Sequence, residues 1–551
     1  MFRSSVAVVL AIGVLTGSLL VGIVGAGAAV TPTADTTAEN GHAVESVATE
    51  PNASLVAVAP NPVASADEGE YVVVAFAGET NLAGWTLGDD ETTATLGNRT
   101  VSGHVAFSAS PTAVPTDAAD VTVGVAGFPE LANSGEPLTL AYHGAVVDTL
   151  RFENAPAGER WNGERWRPRG ATDFEPVVTG STRVDAFVMP DTAVPLDAVR
   201  TAEARIRLAG YTYSSQRVTD ALVTAAERGV SVRVLVDGDP VGGTSERQVA
   251  ALDQLVDAGV SVRVVGGEAA RYHYHHAKYV VADDRALVLT ENWKPSGSGG
   301  RANRGWGVAV RGDATGALAD LFAADWQAHD AIPWRDYRET VDPVAGEVAT
   351  GDYPSEREAK SVTVDRITVL AAPDNAEASM TALVRNATDS VRVEQMAVEG
   401  VETPLMQATL DAARNGTRVR VLLSSAWYAE EENGRVVDRL NAIADREDLA
   451  LDARLVDPDG RFEKIHAKGV VVDSRHVVVG SVNWNRHSLR ENREVALVLT
   501  GEEVGAYYAA AFDSDWSGGA PDDDVPPVLL GAAVVVVVAV VALLRGSVEF
   551  E

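Results

Sequence analysis

The sequence predicts a mixed α/β protein in which two copies of one strand-and-helix unit follow a β-sandwich and precede a single membrane-spanning helix. Three observations predict it. Residues 185–340 and 365–520 repeat one order of strand-like and helical segments. Residues 53–165 hold short strand-like runs separated by turn residues, without helical periodicity. Val528 to Leu544 is a run without a charge. With 551 residues, 46% hydrophobic and 22% charged, the chain has ample apolar material for several packed cores.

Asp and Glu number 78 against 45 Lys and Arg, a formal charge of −33 that excludes a basic nucleic-acid coat protein. Only five of the basic residues are lysines: Lys278, Lys294, Lys360, Lys464 and Lys468. Acid-rich, lysine-poor surfaces of this kind are similar to those of proteins from extreme halophiles, where molar salt screens self-repulsion. The lack of cysteine excludes disulfides, thiol nucleophiles and cysteine-ligated zinc.

Residues 1–29 carry Arg3, an apolar run from Val6 to Val24 and the small stretch Gly25–Ala29, the pattern of an export signal, cleaved or retained as an anchor. Residues 30–52, rich in Thr, Ala, Asp and Glu, read as a linker. Strands are expected at Tyr71–Phe76, Trp85–Leu87, Val105–Phe107 and Val121–Val125, and a two-residue hairpin at His143-Gly144 joins 138–142 to 145–152. The runs NLAGWTLGDD from 81 and LANSGEPLTLAYHGAVVDTLRF from 131 resemble the lamin-tail domain. That resemblance implies an immunoglobulin-like sandwich used as a spacer or docking module. At the far end, Asp522-Asp523-Asp524 and Pro526-Pro527 precede the uncharged run and Arg545 follows it, which puts Arg545 on the cytoplasmic side. The expected protein is therefore a single-pass protein of the cell membrane with an extracellular ectodomain.

In the first repeat, the strand 205–213 precedes a helix ending near Gly229, a strand 230–238, a helix 245–258 and a strand 260–265. In the second, the strand 390–398 precedes a helix ending near Gly416, a strand 417–423, a helix 434–445 and a strand 451–456. This alternation predicts a parallel or mixed sheet covered on both faces. Each repeat then delivers one charged phrase. The first reads His276-Ala277-Lys278, Asp283 and Leu289-Thr290-Glu291-Asn292-Trp293; the second reads His466-Ala467-Lys468, Asp473 and Gly480-Ser481-Val482-Asn483-Trp484. His and Lys two apart on a strand share a face, so an imidazole and an ammonium converge where a phosphate fits. Asn292 and Asn483 can add amide donors to the phosphoryl oxygens.

H-x-K-x4-D followed by G-S-x-N, twice in one chain, resembles the phospholipase D superfamily. The resemblance covers about 335 residues. It implies two halves packed about a pseudo-twofold axis, with His276, Lys278, His466 and Lys468 around one phosphodiester. One histidine attacks phosphorus, the other protonates the leaving oxygen, and a phosphohistidine forms without metal or cofactor. In that family Asp283 and Asp473 support the fold around the site, and Thr290 and Ser481 belong to its phosphate-orienting set. Glu494 matches the carboxylate that orients the motif histidine, whereas the equivalent stretch of the first half, Asn303-Arg304-Gly305, offers none. Leu289 is expected to crowd the backbone where the second half has Gly480. Either histidine can be the nucleophile on this reading. The run His273-Tyr274-His275-His276 supplies at most two metal ligands on one strand face, and Arg271 and His273 are expected at the rim. Loops 294–304 and 425–435 are the candidates for substrate choice. The favoured partner is a phospholipid, with nucleic acid as the alternative substrate and a catalytically inactive surface binding protein as the alternative class.

Overall fold

The computed structural model describes residues 52–518, apart from 63–68, 116–117, 191, 268–269, 299, 347–350, 352 and 354. The expected export signal, all but the last residue of the expected linker and the apolar run Val528–Leu544 lie outside the described residues. Among those described, no helix is long and apolar enough to cross a membrane.

Residues 53–168 build two sheets around one core. The larger has the order Trp166–Pro168, Glu159–Trp161, Ala53–Ala59, Tyr71–Asn81, Thr100–Ser108 and Val121–Gly124. The smaller has the order Thr93–Thr95, Trp85–Gly88, Pro137–Tyr142 and Ala145–Arg151. Val72, Val74, Phe76 and Phe107 from one sheet pack with Trp85, Leu87, Leu138 and Leu140 from the other. The turn at His143-Gly144 has φ of +49° and +80°, and Tyr142 pairs with Ala145. Positive φ at both central residues matches the right-handed twist of the flanking strands.

The remaining residues form two mixed sheets of matching order. In the first, Ser261–Val265, Ser231–Asp237 and Arg205–Gly210 run parallel, and Tyr279–Ala282, Arg285–Leu289, Gly305–Arg311 and Thr182–Met189 continue antiparallel. The second repeats this with Leu451–Leu455, Arg418–Leu423, Ser390–Gln395, Lys468–Val472, His476–Gly480, Glu494–Thr500 and Arg366–Ala372. Helices Gln216–Glu227 and Glu246–Asp257 start at Ser215 and Ser245, whose hydroxyls accept from Val218 N and Gln248 N. Gly229 and Gly416, at φ +90° and +92°, follow the ends of Gln216–Glu227 and Pro404–Arg414 in the left-handed conformation that a side chain resists. The helix expected at 434–445 spans Glu430–Glu447, its first turn extended by Glu430, Glu431 and Glu432 at the positive end of the helix dipole.

The halves are interlocked by exchanged edge strands. Val177–Thr179, which precedes the first half, pairs with Arg366–Ala372 of the second sheet. Lys360–Val364, which precedes the second half, pairs with Thr182–Met189 of the first. A single inner core joins the halves: Tyr279, Trp306 and Phe322 are continuous with Val471, Leu497, Tyr508 and Phe512.

Candidate active site

Backbone pairing across the interface decides where the site forms. His276 N–H donates to the Arg493 carbonyl at 2.9 Å and Arg493 N–H to the Tyr274 carbonyl at 3.0 Å. In the same way His466 N–H donates to the Arg304 carbonyl at 2.8 Å and Arg304 N–H to the Lys464 carbonyl at 2.9 Å. Each half's histidine segment is thus zipped to the other half's Asn-Arg segment. The arginines themselves turn inward. Arg493 is clamped by Asp325 at 3.1 Å and Asp374 at 3.0 Å, and Arg304 by Asp515 at 2.9 Å. Arg271, expected at the rim, is instead drawn inward by the buried carboxylates of Asp330 at 3.0 Å and Asp325 at 3.5 Å, as its equivalent in the second half, Arg461, is by Asp515 at 2.7 Å.

This crossing corrects the expected carboxylate pairing. Glu494 does not support His466 of its own half; both its oxygens face His276 Nδ1, at 2.8 and 2.9 Å. His466 has a carboxylate too, from a residue assigned no role by sequence. Glu291 Oε1 stands 3.2 Å from His466 Nδ1. The Thr290 carbonyl is also 3.2 Å from that nitrogen, with the better hydrogen-bond alignment. Glu291 and Glu494 are both fully buried. The equivalence of Asn303-Arg304-Gly305 with Asn492-Arg493-Glu494 led to the expectation that the first half lacked a carboxylate. A charge standing at 291, where the second half has Val482, was the available signal.

Carboxylates accept only, so Nδ1 of His276 carries a hydrogen and Nε2 holds the lone pair. Burial pushes the His276 imidazole down to about 4 and the His466 imidazole down to about 3, with Glu494 and Glu291 pulling the other way. Burial raises both carboxyls, but the adjacent imidazole and lysine outweigh it and leave each below its usual range. Lys278 and Lys468 are buried, and their ammonium groups donate to the carbonyls of His276 at 2.6 Å and His466 at 2.8 Å. Burial lowers Lys278 well below its ordinary value and Lys468 to about 8. His276 and Lys278 both feel Lys468, and Lys468 feels Glu494, so the two histidine-lysine sets form one electrostatic cluster. Tyr211 packs its ring 4.5 Å from that of His276.

The other expected residues divide into two groups. Asn292 and Asn483 are buried, each with an amide oxygen that has no hydrogen-bond partner. Thr290 and Ser481 turn their hydroxyls to the next strand, accepting from Trp306 N at 2.9 Å and Val495 N at 3.0 Å. They orient strands, and are not aimed at a substrate. Asp283 and Asp473 lie five residues beyond Lys278 and Lys468, about 16 Å at the rise of a strand. Asp283 accepts from the backbone N–H groups of Glu203, Ala204 and Arg205 at 2.7 to 2.9 Å, and Asp473 from those of Thr388, Asp389 and Ser390. They staple a strand entry and stand outside the imidazole cluster. The crowding expected from Leu289 is absent, because its cross-strand partner is Gly307, where a Cβ would come within 2.9 Å of the Leu289 side chain.

The histidine run splits three ways. His276 enters the site, His275 is buried 3.7 Å from Asp325, and half-buried His273 stacks near His487 at 5.3 Å. Among the described residues no three His, Cys, Asp or Glu side chains are grouped to hold a metal ion. Of the loops expected to choose substrate, Lys294, Pro295 and Ser296 line a cavity of about 250 Å³ with Val241 and Glu463. Trp427 is 85% exposed, and Lys464 lies 5.0 Å over its neighbour Tyr428. A second cavity, of about 360 Å³, is lined by Asp237, Asp239, His273, Tyr274 and Tyr337.

A family model described as cardiolipin synthase, PLD-like domain matches residues 196–326 and 380–516. Each half thus matches a PLD-like domain of the cardiolipin synthase type. No curated protein matches the chain. Among solved structures, phosphatidylserine synthase from Haemophilus influenzae Rd KW20 is similar at 14% identity, over 63% of this chain and 86% of its own, with a TM-score of 0.46. Nuc, a phospholipase D family member from Salmonella typhimurium, is similar at 19% identity, over 29% of this chain and 98% of its own, with a TM-score of 0.24. Polyphosphate kinase from Porphyromonas gingivalis is similar at 13% identity, over 60% of this chain and 50% of its own, with a TM-score of 0.38.

Proposed function

We propose that this protein is a phosphodiesterase of the phospholipase D type that hydrolyses or transfers phospholipid head groups through a phosphohistidine. One observation carries the reading: two imidazoles, each with Nδ1 facing a buried carboxylate and each with a buried lysine, meet at one interface. His276, with two carboxylate oxygens within 2.9 Å of Nδ1, is the better-oriented nucleophile. Its Nε2 lone pair forms the N–P bond while the P–O bond to the leaving alcohol breaks, and His466, protonated at Nε2, gives its proton to the leaving oxygen. Water or a second alcohol then attacks phosphorus, its proton passes to His466, and the N–P bond breaks to restore both rings. Lys278 and Lys468 neutralise the phosphoryl oxygens.

A tether formed by Val528–Leu544 would hold the ectodomain at the outer membrane face beside lipid substrate, and a net charge of −33 disfavours a polynucleotide backbone. The N-terminal sandwich, lamin-tail-like in its motifs, serves as a docking module. The test incubates the full chain in molar salt and EDTA with phosphatidylcholine vesicles, phosphatidylglycerol vesicles and single-stranded DNA. Head-group release from vesicles supports the reading. Cleavage of DNA alone overturns it in favour of an exported nuclease, and no turnover of any substrate favours a binding protein.

A further inference from the structure

The pseudo-twofold places Gly305 where the second half has Glu494, and Glu291 where it has Val482. These two departures are one exchange in space. A Cβ built on Gly305 would lie 2.4 Å from Glu291 Cγ and 2.7 Å from its Oε1, so the Glu291 side chain occupies the space that a side chain at 305 would need. The amide that serves the carboxylate is kept: Asn303 Nδ2 donates to Glu291 Oε2 at 3.1 Å, as Asn492 Nδ2 donates to Glu494 Oε1 at 3.2 Å. Glu291 Oε1 is buried without a hydrogen-bond partner, 3.2 Å from His466 Nδ1. A carboxylate buried this deeply is costly unless a charged or donating partner uses it, and His466 is the neighbour placed to do so.

We propose that Glu291 is the positioning residue of His466: it holds the imidazole in the Nδ1–H tautomer and stabilises the imidazolium that forms during proton transfer, doing from the loop what Glu494 does for His276 from the strand. The first half is therefore complete, its carboxylate moved to the neighbouring strand end and not lost. This rests on the proposed phosphodiesterase reading for its kinetic test, and an equilibrium measurement makes it independent of that reading.

Three variants of the full chain decide it. Glu291→Val copies the second half at 482 and should lower kcat by on the order of 10²–10⁴ with KM within about threefold, the pattern of a lost orienting carboxylate. Glu291→Val with Gly305→Glu rebuilds the second half's arrangement and should recover at least about tenfold of that loss. Glu291→Gln keeps the shape and removes the charge; in ¹⁵N-histidine NMR the His466 signal, assigned with His466→Asn, should shift toward the other tautomer and titrate at lower pH. The proposal is overturned by Glu291→Val retaining activity within about threefold, by a folded double variant no more active than the single one, or by an unchanged His466 signal in Glu291→Gln. If no phosphodiester is turned over by the parent, the functional reading fails while the NMR signal still decides the role of Glu291.

Discussion

His276 and His466 hold equivalent places in the two halves and keep different company. His276 is gripped by two carboxylate oxygens and covered by the ring of Tyr211, whereas His466 divides Nδ1 between the Thr290 carbonyl and Glu291, with Lys468 at 3.4 Å. Symmetry here preserves the kind of group around each imidazole while leaving free which backbone position supplies it. Under the proposed mechanism the tighter grip suits a ring that must present one lone pair, and the divided one suits a ring that gains and loses a proton in each cycle.

The largest expected effect tests whether the two environments serve one event. His276→Asn and His466→Asn should each abolish turnover, by on the order of 10⁴ or more, since losing nucleophile or acid stops the same step. Single-turnover assays quenched in alkali, where the acid-labile N–P bond survives, should show a phosphoryl adduct on His276 in the parent and none in His276→Asn. Near-full activity of either variant breaks the comparison at its root.

Next comes the pair of arginine clamps. Arg493→Met removes the guanidinium shared by the Asp325 and Asp374 carboxylates, leaving Asp325 with Arg271 at 3.5 Å, and should cost about 3–5 kcal/mol in urea unfolding. Arg304→Met removes a guanidinium from one buried carboxylate, Asp515, which keeps Arg461 at 2.7 Å, whereas Arg493 serves two, so the cost of Arg304→Met should be the smaller of the two. Equal losses would show that the clamps are energetically symmetric despite their different partners.

A third, smaller effect lies in pH dependence. Burial holds His276 at about 4 and His466 at about 3, so both are neutral at pH 7. A phosphodiester anion favours the protonated form and must raise these values on binding. The bell in kcat should therefore be centred at higher pH than the bell in kcat/KM, and both should fall as Lys468 loses its charge above about 8. The same depressed imidazoles make the unfolded chain bind more protons than the native one between pH 6.5 and about 4, so the urea midpoint should fall as pH drops through that window. The smallest effect is expected at Asp283→Asn and Asp473→Asn, which weaken backbone staples at the surface: about 1 kcal/mol each, with kcat unchanged.

What could be read from the sequence was local or repeated. The hairpin at His143-Gly144, the helix ends before Gly229 and Gly416, and the two H-x-K phrases are short-range patterns whose physics is complete within a few residues. The crossed carboxylates were hidden because Glu494 reaches His276 through a strand pairing that joins residues 218 apart. Glu291 was hidden by its column: aligned repeats compare 305 with 494, whereas the space one side chain vacates can be filled from another strand. Leu289 looked like a defect because its relief, Gly307, lies across a strand register and not beside it in the chain.

The exchanged edge strands also set a timetable for synthesis. Thr182–Met189 has an unpaired edge until Lys360–Val364 has been made, and His276 has no carboxylate until Glu494 follows. A nascent chain stopped between the halves would hold an open sheet edge, the kind that recruits strands from other molecules. The paired imidazole and carboxylate cluster is thus complete only when nearly all of the described chain has been translated.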